Sequence, residues 1–370
     1  MELCTELARL GTEVTVMAPD VHGRYGSAEE APSHTESNQF QIVRLPVTAR
    51  VLERLTGMFY TPTFRKEFRK YASSAMLVHF HGYRSYQNFA AARTSRECRT
   101  RYVIQPHGTA VRGYGKAALK LTYDLAVGIR QSAEATALIA SSQMEAMQLQ
   151  SLALGRNSVY TIPNGVRREI WAAPPSDPSL FRDTFRLPRG APIILFVGRL
   201  DRTKGLDSLV NAFAAASRVI PDSILVLAGP DFGVRTQLEA QVHRLGLEDR
   251  VVFAGLADQT MLHSAYKQST VVVIPSTYES FGIVALEAAA ASTPVLMTEA
   301  CGLAPTFRGA GIIVARPDST SIANIMIRFV QDVEFRASQE AALGSLPWNS
   351  FSWQEVARQV LELYEVVMQN

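Results

Sequence analysis

The stretch PSTYESFGIVALEAAAASTPVL, residues 275 to 296, places two carboxylates, Glu279 and Glu287, on either side of a glycine at the mouth of an Ala- and Leu-rich helical pattern. Backbone N–H groups at a helix start have no intrahelical acceptor, and the helix dipole adds to their pull on an anion, so a phosphate fits there. Gly282 has no Cβ to hold that phosphate off the main chain. Glu279 precedes the helix and can reach a group at its mouth. Glu287, more than a turn inside, can accept hydrogen bonds from vicinal hydroxyls such as those of a ribose. Taken alone, such a pair reads first as one acid offsetting a helix dipole and another on a solvated face.

A second segment, FVGRLDRTKGLDSLVNAF (196–213), ends an apolar run at Gly198 and sets Arg199 and Lys204 in the turn before a helix. Two cations at the carboxyl end of a parallel strand are placed to neutralise a diphosphate. The glycine spacing is not that of a Walker A loop, no Ser or Thr follows the lysine, and no GxGxxG fingerprint is well placed. His107, followed by Gly108 at the end of another apolar run, reads by itself as a structural histidine, and His79 and His81 as packing or supporting groups. Asp201 and the lone acids near it form no DxD-like cluster, so no metal-ligand set is expected.

The elements that must position these groups are short β-branched runs alternating with longer helical patterns. Candidate strands cover 12–18, 75–81, 101–107, 136–141 and 158–164, then 192–198, 223–229, 250–255, 270–276, 294–298 and 311–315. Several are apolar at nearly every position, which suits parallel strands covered on both faces. Continuous alternation of this kind predicts doubly wound α/β sheets, and the Pro-rich AAPPSDPS (172–179) marks a hinge between two of them. At the amino terminus Leu3, Leu7 and Leu10 recur at helical spacing, Gly11 stops the helix, and a strand follows. A doubly wound domain ordinarily opens with a strand and a Gly-rich turn before that helix, so the first strand is expected to be missing.

The chain has 370 residues, 47% of them apolar and 19% charged, which fits two globular domains. No apolar run approaches the ~20 residues of a membrane-spanning helix, and MELCTELARL lacks the order of a secretory signal. Cys4, Cys98 and Cys301 are scattered and odd in number, and read as reduced thiols of a cytoplasmic protein. Residues 1–168 carry 21 Lys and Arg against 13 Asp and Glu, while the remainder carries 16 against 21. Within the basic half, Arg50, Arg54, Arg65, Lys66, Arg69 and Lys70 interleave with Phe59, Tyr60, Phe64 and Phe68. One reading is a solvated helix with an apolar inner face; the other is contact with an anionic membrane surface or a phosphorylated lipid. No nucleic-acid motif accompanies the charge, so nucleic acid is not expected as a partner.

GRLDRTKG, VVFAGLADQTMLHSAY and above all ESFGIVALE resemble the donor domain of glycosyltransferase family 4, and HFHGYRSYQNFAAARTSRECRTRYVIQPHGT with SVYTIPNGV resembles the amino-terminal half of its polysaccharide-biosynthesis members. That resemblance implies the GT-B architecture: two Rossmann-like domains facing across a cleft, residues 1–168 on the acceptor side and 169–351 on the donor side, with a helix over 352–370 crossing back. It implies a retaining, metal-independent transfer from a nucleoside diphosphate sugar, with no cofactor, to a glycan or lipid-linked saccharide in cell-surface polysaccharide biosynthesis. The expected location is cytoplasmic, at the inner face of the membrane. Arg199 and Lys204 would hold the diphosphate, Glu279 the transferred sugar and Glu287 the ribose. Phe281, Gly282, Ile283 and Val284 would add main-chain contacts, with Gly198 beside them, His107 near the reacting centre, and Asn164 and Gly165 in the interdomain wall. Ser292 stands where the family usually has glycine. Rival readings are a nucleotide-sugar binder without catalysis, for want of the first strand, and a GT-B epimerase or phosphorylase.

Overall fold

Aliphatic and β-branched runs become parallel strands where both of their faces can be covered. In this computed structural model, which describes residues 1–20, 40–47, 59–112, 117–152 and 158–369, that condition is met twice. The chain divides into one unit of Met1–Gly165 with Asn349–Asn370 and another of Val166–Trp348.

The first unit runs α1 (Glu2–Arg9), β1 (Val14–Asp20), β2 (Phe40–Pro46), α2 (Phe64–Ala72), β3 (Leu77–His81), α3 (Tyr86–Cys98), β4 (Arg101–Gln105), β5 (Ala137–Ala140), α4 (Gln143–Ser151) and β6 (Val159–Thr161). Strands β3 to β6 hydrogen-bond in sequence order, all parallel, while β1 pairs in parallel with β2 alone. Among the described residues no strand pairs with the other edge of β1 or of β3. The two pieces nevertheless share cores on both faces. Met17, Val43 and Leu45 pack with Phe64, Phe68, Phe80 and Tyr102 on one, and Leu7 and Val14 with Leu77, Val103 and Ile139 on the other. The C-terminal helix, Trp353–Gln369, covers the second face through Val356, Ala357, Val360, Leu363 and Val367, the stripe that a 3.6-residue period gives.

Strand β2 is not among the candidate strands of the sequence. Gln41 and Arg44 are exposed, Ile42 and Val43 half-buried and only Leu45 deeply buried, so FQIVRLP follows neither the alternating nor the all-apolar pattern. The aromatic-basic stretch resolves toward its simpler reading where it is described. Phe64 and Phe68 stack in the core with centroids 5.5 Å apart. Arg65, Arg69 and Arg93 gather around Glu97, and Lys70 pairs with Glu67. Arg50 and Arg54 lie outside the described residues. No helix among the described residues is long and apolar enough to cross a membrane.

In the second unit, β7 (Ile193–Val197), α5 (Leu206–Ala216), β8 (Ile224–Ala228), β9 (Val251–Gly255), α6 (Gln259–Gln268), β10 (Val271–Ile274), α7 (Ile283–Ala290), β11 (Val295–Thr298) and β12 (Val314–Ala315) build a six-stranded parallel sheet ordered β12-β11-β10-β7-β8-β9. The central strands are buried almost throughout, as their all-apolar sequences require. The chain winds outward from β7 through β8 to β9, then returns to pair β10 with the opposite edge of β7. Sheets that reverse their winding bind ligands in the crevice that opens beyond the carboxyl ends of the strands flanking the reversal, here β7 and β10. The loops holding Arg199, Lys204 and Glu279 leave those two strands.

Candidate functional site

Close main-chain contacts fix both loops. After β7 the chain passes Gly198 (φ +150°), whose N–H donates to the Ala228 carbonyl at 2.9 Å. A Cβ on Gly229 would lie 1.9 Å from the Gly198 carbonyl oxygen, so the backbones cross here only because position 229 is glycine. Asp201 then caps a 3-10 turn, accepting from the Thr203 N–H at 2.8 Å. Gly205 (φ +63°) brings the start of α5 against Pro275, whose carbonyl oxygen lies 2.2 Å from where a Cβ would stand. The Thr277 N–H donates to the Thr203 carbonyl at 3.0 Å and joins the two loops.

The consequence is an ion pair between Lys204 Nζ and Glu279 Oε2, with side chains 16% and 19% exposed. Glu279 is also held through its backbone. Its N–H donates to Ala300 at 3.0 Å, and its carbonyl accepts from Gly302 at 2.8 Å, in a parallel bridge to Cys301. Phe281, buried, accepts at its carbonyl from the Leu303 N–H at 3.1 Å and from the Cys301 thiol at 3.2 Å. Gly282 at φ +98° starts α7, and no side chain caps that helix. The first-turn N–H groups of α7, beginning with Ile283 and Val284, have no acceptor one turn back within the helix, the condition under which a helix start can take an anion. Arg199 is 57% exposed, 3.3 Å from Asp201 and 5.1 Å above the Phe232 ring centroid, a posture that leaves its guanidinium open to a ligand.

Glu287 is placed differently. Tyr266, fully buried on α6, donates its hydroxyl to Glu287 Oε2 at 2.8 Å. Burial pushes the Glu287 carboxyl up to about 7, with the Tyr266 bond pulling the other way. Lys204 and Glu279 are thus brought together, whereas Glu287 keeps a phenol for company. Among the described residues no group of three or more His, Cys, Asp or Glu side chains is arranged to hold a metal ion.

His107 belongs to the first unit and is described with it. It follows β4 in the left-handed region at φ +51°, a conformation that costs a non-glycine residue roughly 1–2 kcal/mol. Its loop is held by the Gly108 N–H donating to Glu145, and by Arg84, which reaches the carbonyls of Thr109 and Ala110 while pairing with buried Asp124 at 2.7 Å. His107 Nε2 lies 2.9 Å from His81 Nδ1, and the two rings stack at 5.3 Å. His79 stacks on His81 at 4.3 Å and meets the Tyr364 hydroxyl through Nδ1 at 2.7 Å. His81 is exposed at the surface, yet the protein packed around its ring pushes it down to about 4, with His107 adding to the effect. Burial lowers His107 as well, against Glu145. Gly165 is buried where a Cβ would meet the Trp353 ring at 2.4 Å, and Asn164 beside it is half-buried.

Sequence reading missed Tyr266, Cys301 and Glu145. Only Glu145 carried a local signal: Ser142 and Glu145 have the spacing of a capping box, and Ser142 caps α4 by accepting from the Glu145 N–H at 3.2 Å.

Comparison with known proteins adds to this geometry. Residues 179–342 match the family model described as glycosyl transferases group 1, and residues 1–165 that of a glycosyl transferase 4-like domain. The D-inositol 3-phosphate glycosyltransferase of Frankia alni is 30% identical over 98% of this chain and 92% of its own length. An uncharacterized glycosyltransferase of Methanocaldococcus jannaschii, MJ1607, is 35% identical over 51% of this chain and 48% of its own. The D-inositol 3-phosphate glycosyltransferase of Xylanimonas cellulosilytica is 32% identical over 63% and 57%. The chain thus spans about half the length of the last two relatives. Sucrose-phosphate synthase from Thermosynechococcus elongatus superposes with a TM-score of 0.76 at 25% identity, covering 100% of this chain and 92% of that one. Anabaena Alr3699/HepE in complex with UDP and glucose gives 0.76 at 21% identity, over 99% and 95%, a likeness of fold.

Proposed function

Because this chain belongs to the glycosyltransferases, with a group 1 domain following a glycosyl transferase 4-like domain on the GT-B fold, we propose that it transfers a sugar from a nucleoside diphosphate sugar, with retention of anomeric configuration. The observation that carries this reading is the Lys204–Glu279 pair beside the uncapped start of α7, at the carboxyl ends of the two strands where the sheet reverses. Lys204, Arg199 and the α7 donors neutralise the leaving diphosphate, an electrostatic contribution that needs only groups of this chain. Gly198 lets the first loop pass beneath it. Glu279 accepts from hydroxyls of the transferred sugar, Phe281 and Gly282 contribute main-chain contacts, and Glu287 accepts from the ribose. His107 faces the reacting sugar. Leaving-group departure and attack then occur on one face of that sugar, without a metal ion.

Isothermal titration of a panel of nucleotide sugars, followed by product analysis with EDTA present, tests the reading. Binding with transfer and retained configuration supports it, and an absolute requirement for a divalent ion overturns its metal-free part. Isomerised donor would indicate an epimerase, phosphate-dependent release a phosphorylase, and binding without turnover a non-catalytic binder. For the acceptor we propose a glycan or lipid-linked saccharide of the cell surface. The names of the Frankia and Xylanimonas relatives favour a second reading, a phosphorylated polyol or sugar. Offering both classes of acceptor to the loaded enzyme separates the two. Contact of the exposed Lys66, Arg69 and Lys70 with an anionic inner membrane face belongs to the first reading, and co-sedimentation with phosphatidylglycerol vesicles checks it.

A further inference from the structure

The His81–His107 hydrogen bond joins two groups that the proposed reaction has used only in part. Both rings are disfavoured as cations, so the bond runs between neutral imidazoles, and one nitrogen must donate while the other accepts. The charge beside His107 favours one direction. Nδ1 is the ring nitrogen nearer the main chain, and at His107 the main chain runs into the Gly108 N–H that Glu145 accepts. The Glu145 charge acts on the His107 ring as well, and a carboxylate at the main-chain end favours a proton on Nδ1, which leaves the Nε2 lone pair for His81 Nδ1, 2.9 Å away. His81 is itself held, its ring stacked between those of His79 and His107, with His79 fixed by the Tyr364 hydroxyl.

We propose that His81 is a positioning residue for His107: its Nδ1–H donates to His107 Nε2, locking His107 into the Nδ1-protonated tautomer and occupying the one nitrogen that could act as a base. His107 then serves the reacting sugar as a neutral hydrogen-bonding group and does not remove the acceptor's proton. This rests on the reading of His107 as facing that sugar. The strained φ of +51° fits such a role, since a left-handed histidine persists only where its surroundings determine its posture.

Long-range proton–nitrogen NMR on full-length protein labelled with ¹⁵N-histidine reads the tautomer without any substrate. The expected spectrum shows pyrrole-like Nδ1 and pyridine-like Nε2 for His107, with Nε2 shifted by an accepted hydrogen bond. His81→Leu should lose that shift and give a mixture of tautomers, whereas His81→Asn, which offers an amide donor near the position of Nδ1, should retain the single tautomer. Unchanged melting temperature in both variants guards against a folding defect. A wild-type His107 protonated at Nε2, or a His107 pattern indifferent to His81→Leu, overturns the proposal. These results stand whether or not the chain transfers sugar, so failure here is distinguishable from failure of the functional reading.

Discussion

Replacing Glu287 by Gln should make the second unit more stable above neutrality while weakening its grip on a nucleotide. Glu287 lies mostly inside the protein, and the partner the structure gives its Oε2 is a phenol. Burial raises the carboxyl from the ordinary 4.5 to about 7. At ~1.36 kcal/mol for each pKa unit, ionising it in the folded protein costs about 3 kcal/mol more than in the unfolded chain. The sign follows from proton counting. Between pH 4.5 and about 7 the folded state holds a proton that the unfolded state has released, so stability falls as pH rises through that window, and the loss is complete above it. A glutamine side chain would keep the size and an oxygen for the Tyr266 hydroxyl, but would carry no charge to strand.

The variant should therefore match wild type near pH 4 and exceed it near pH 8 by about 3 kcal/mol, roughly 6–12 °C in Tm for a unit of this size. Calorimetry at the two pH values measures it. Titration with UDP and its 2′-deoxy analogue supplies the functional half. Wild type should prefer UDP and bind more weakly as pH falls below 7, and Glu287→Gln should lose most of the preference. A Tm difference equal at both pH values, or an undiminished preference for the ribose hydroxyl, would refute the assignment of a destabilised, functional carboxylate.

Lys204→Met should weaken nucleoside diphosphate binding by ~10- to 100-fold, about the 1.5–3 kcal/mol of a charge-assisted hydrogen bond, and titration with UDP would expose a mistaken role if affinity held. In Gly282→Ala the new Cβ would stand 2.6 Å from Cys301 Sγ at a φ of +98°, so a loss of at least ~1 kcal/mol in stability and of donor affinity together is expected in melting and binding assays. Ser292→Gly relieves a left-handed serine at φ +59° just past α7, where denaturant melts should gain about 1 kcal/mol with nucleotide binding unchanged.

What the sequence disclosed, and what it hid, divides along physical lines. Runs such as IILFV, ILVLA and VVVI are apolar at every position because helices cover both faces of the sheet, and that demand is written locally. Strand β2 answers to partners on both sides only in part, so its residues carry no periodic mark. Ser292 was legible as a departure because a helix ending in the left-handed region favours glycine at that position. The Lys204–Glu279 contact spans 75 positions, and Tyr266 meets Glu287 from a different helix 21 positions away. No local spacing encodes either meeting; the order in which β7 and β10 pair creates the first and the placement of α6 beside α7 the second.

Those two partners give the glutamates different freedom. Glu279 has a cation, and the proposed reading gives that same cation to the diphosphate, so an arriving phosphate would compete with Glu279 for Lys204. On the proposed reading, charge that the phosphate takes from Lys204 would release Glu279 to accept from the hydroxyls of the sugar attached to that phosphate. The backbone bridge to Cys301 keeps the released carboxylate at the mouth of α7 instead of letting the loop relax away. Glu287 has no cation to exchange: its Oε2 accepts from the Tyr266 hydroxyl, and the proposed ribose contact would add to that bond. If the proposed roles hold, the ribose contact is prepared before the donor arrives, and the sugar contact is completed only when its diphosphate is seated.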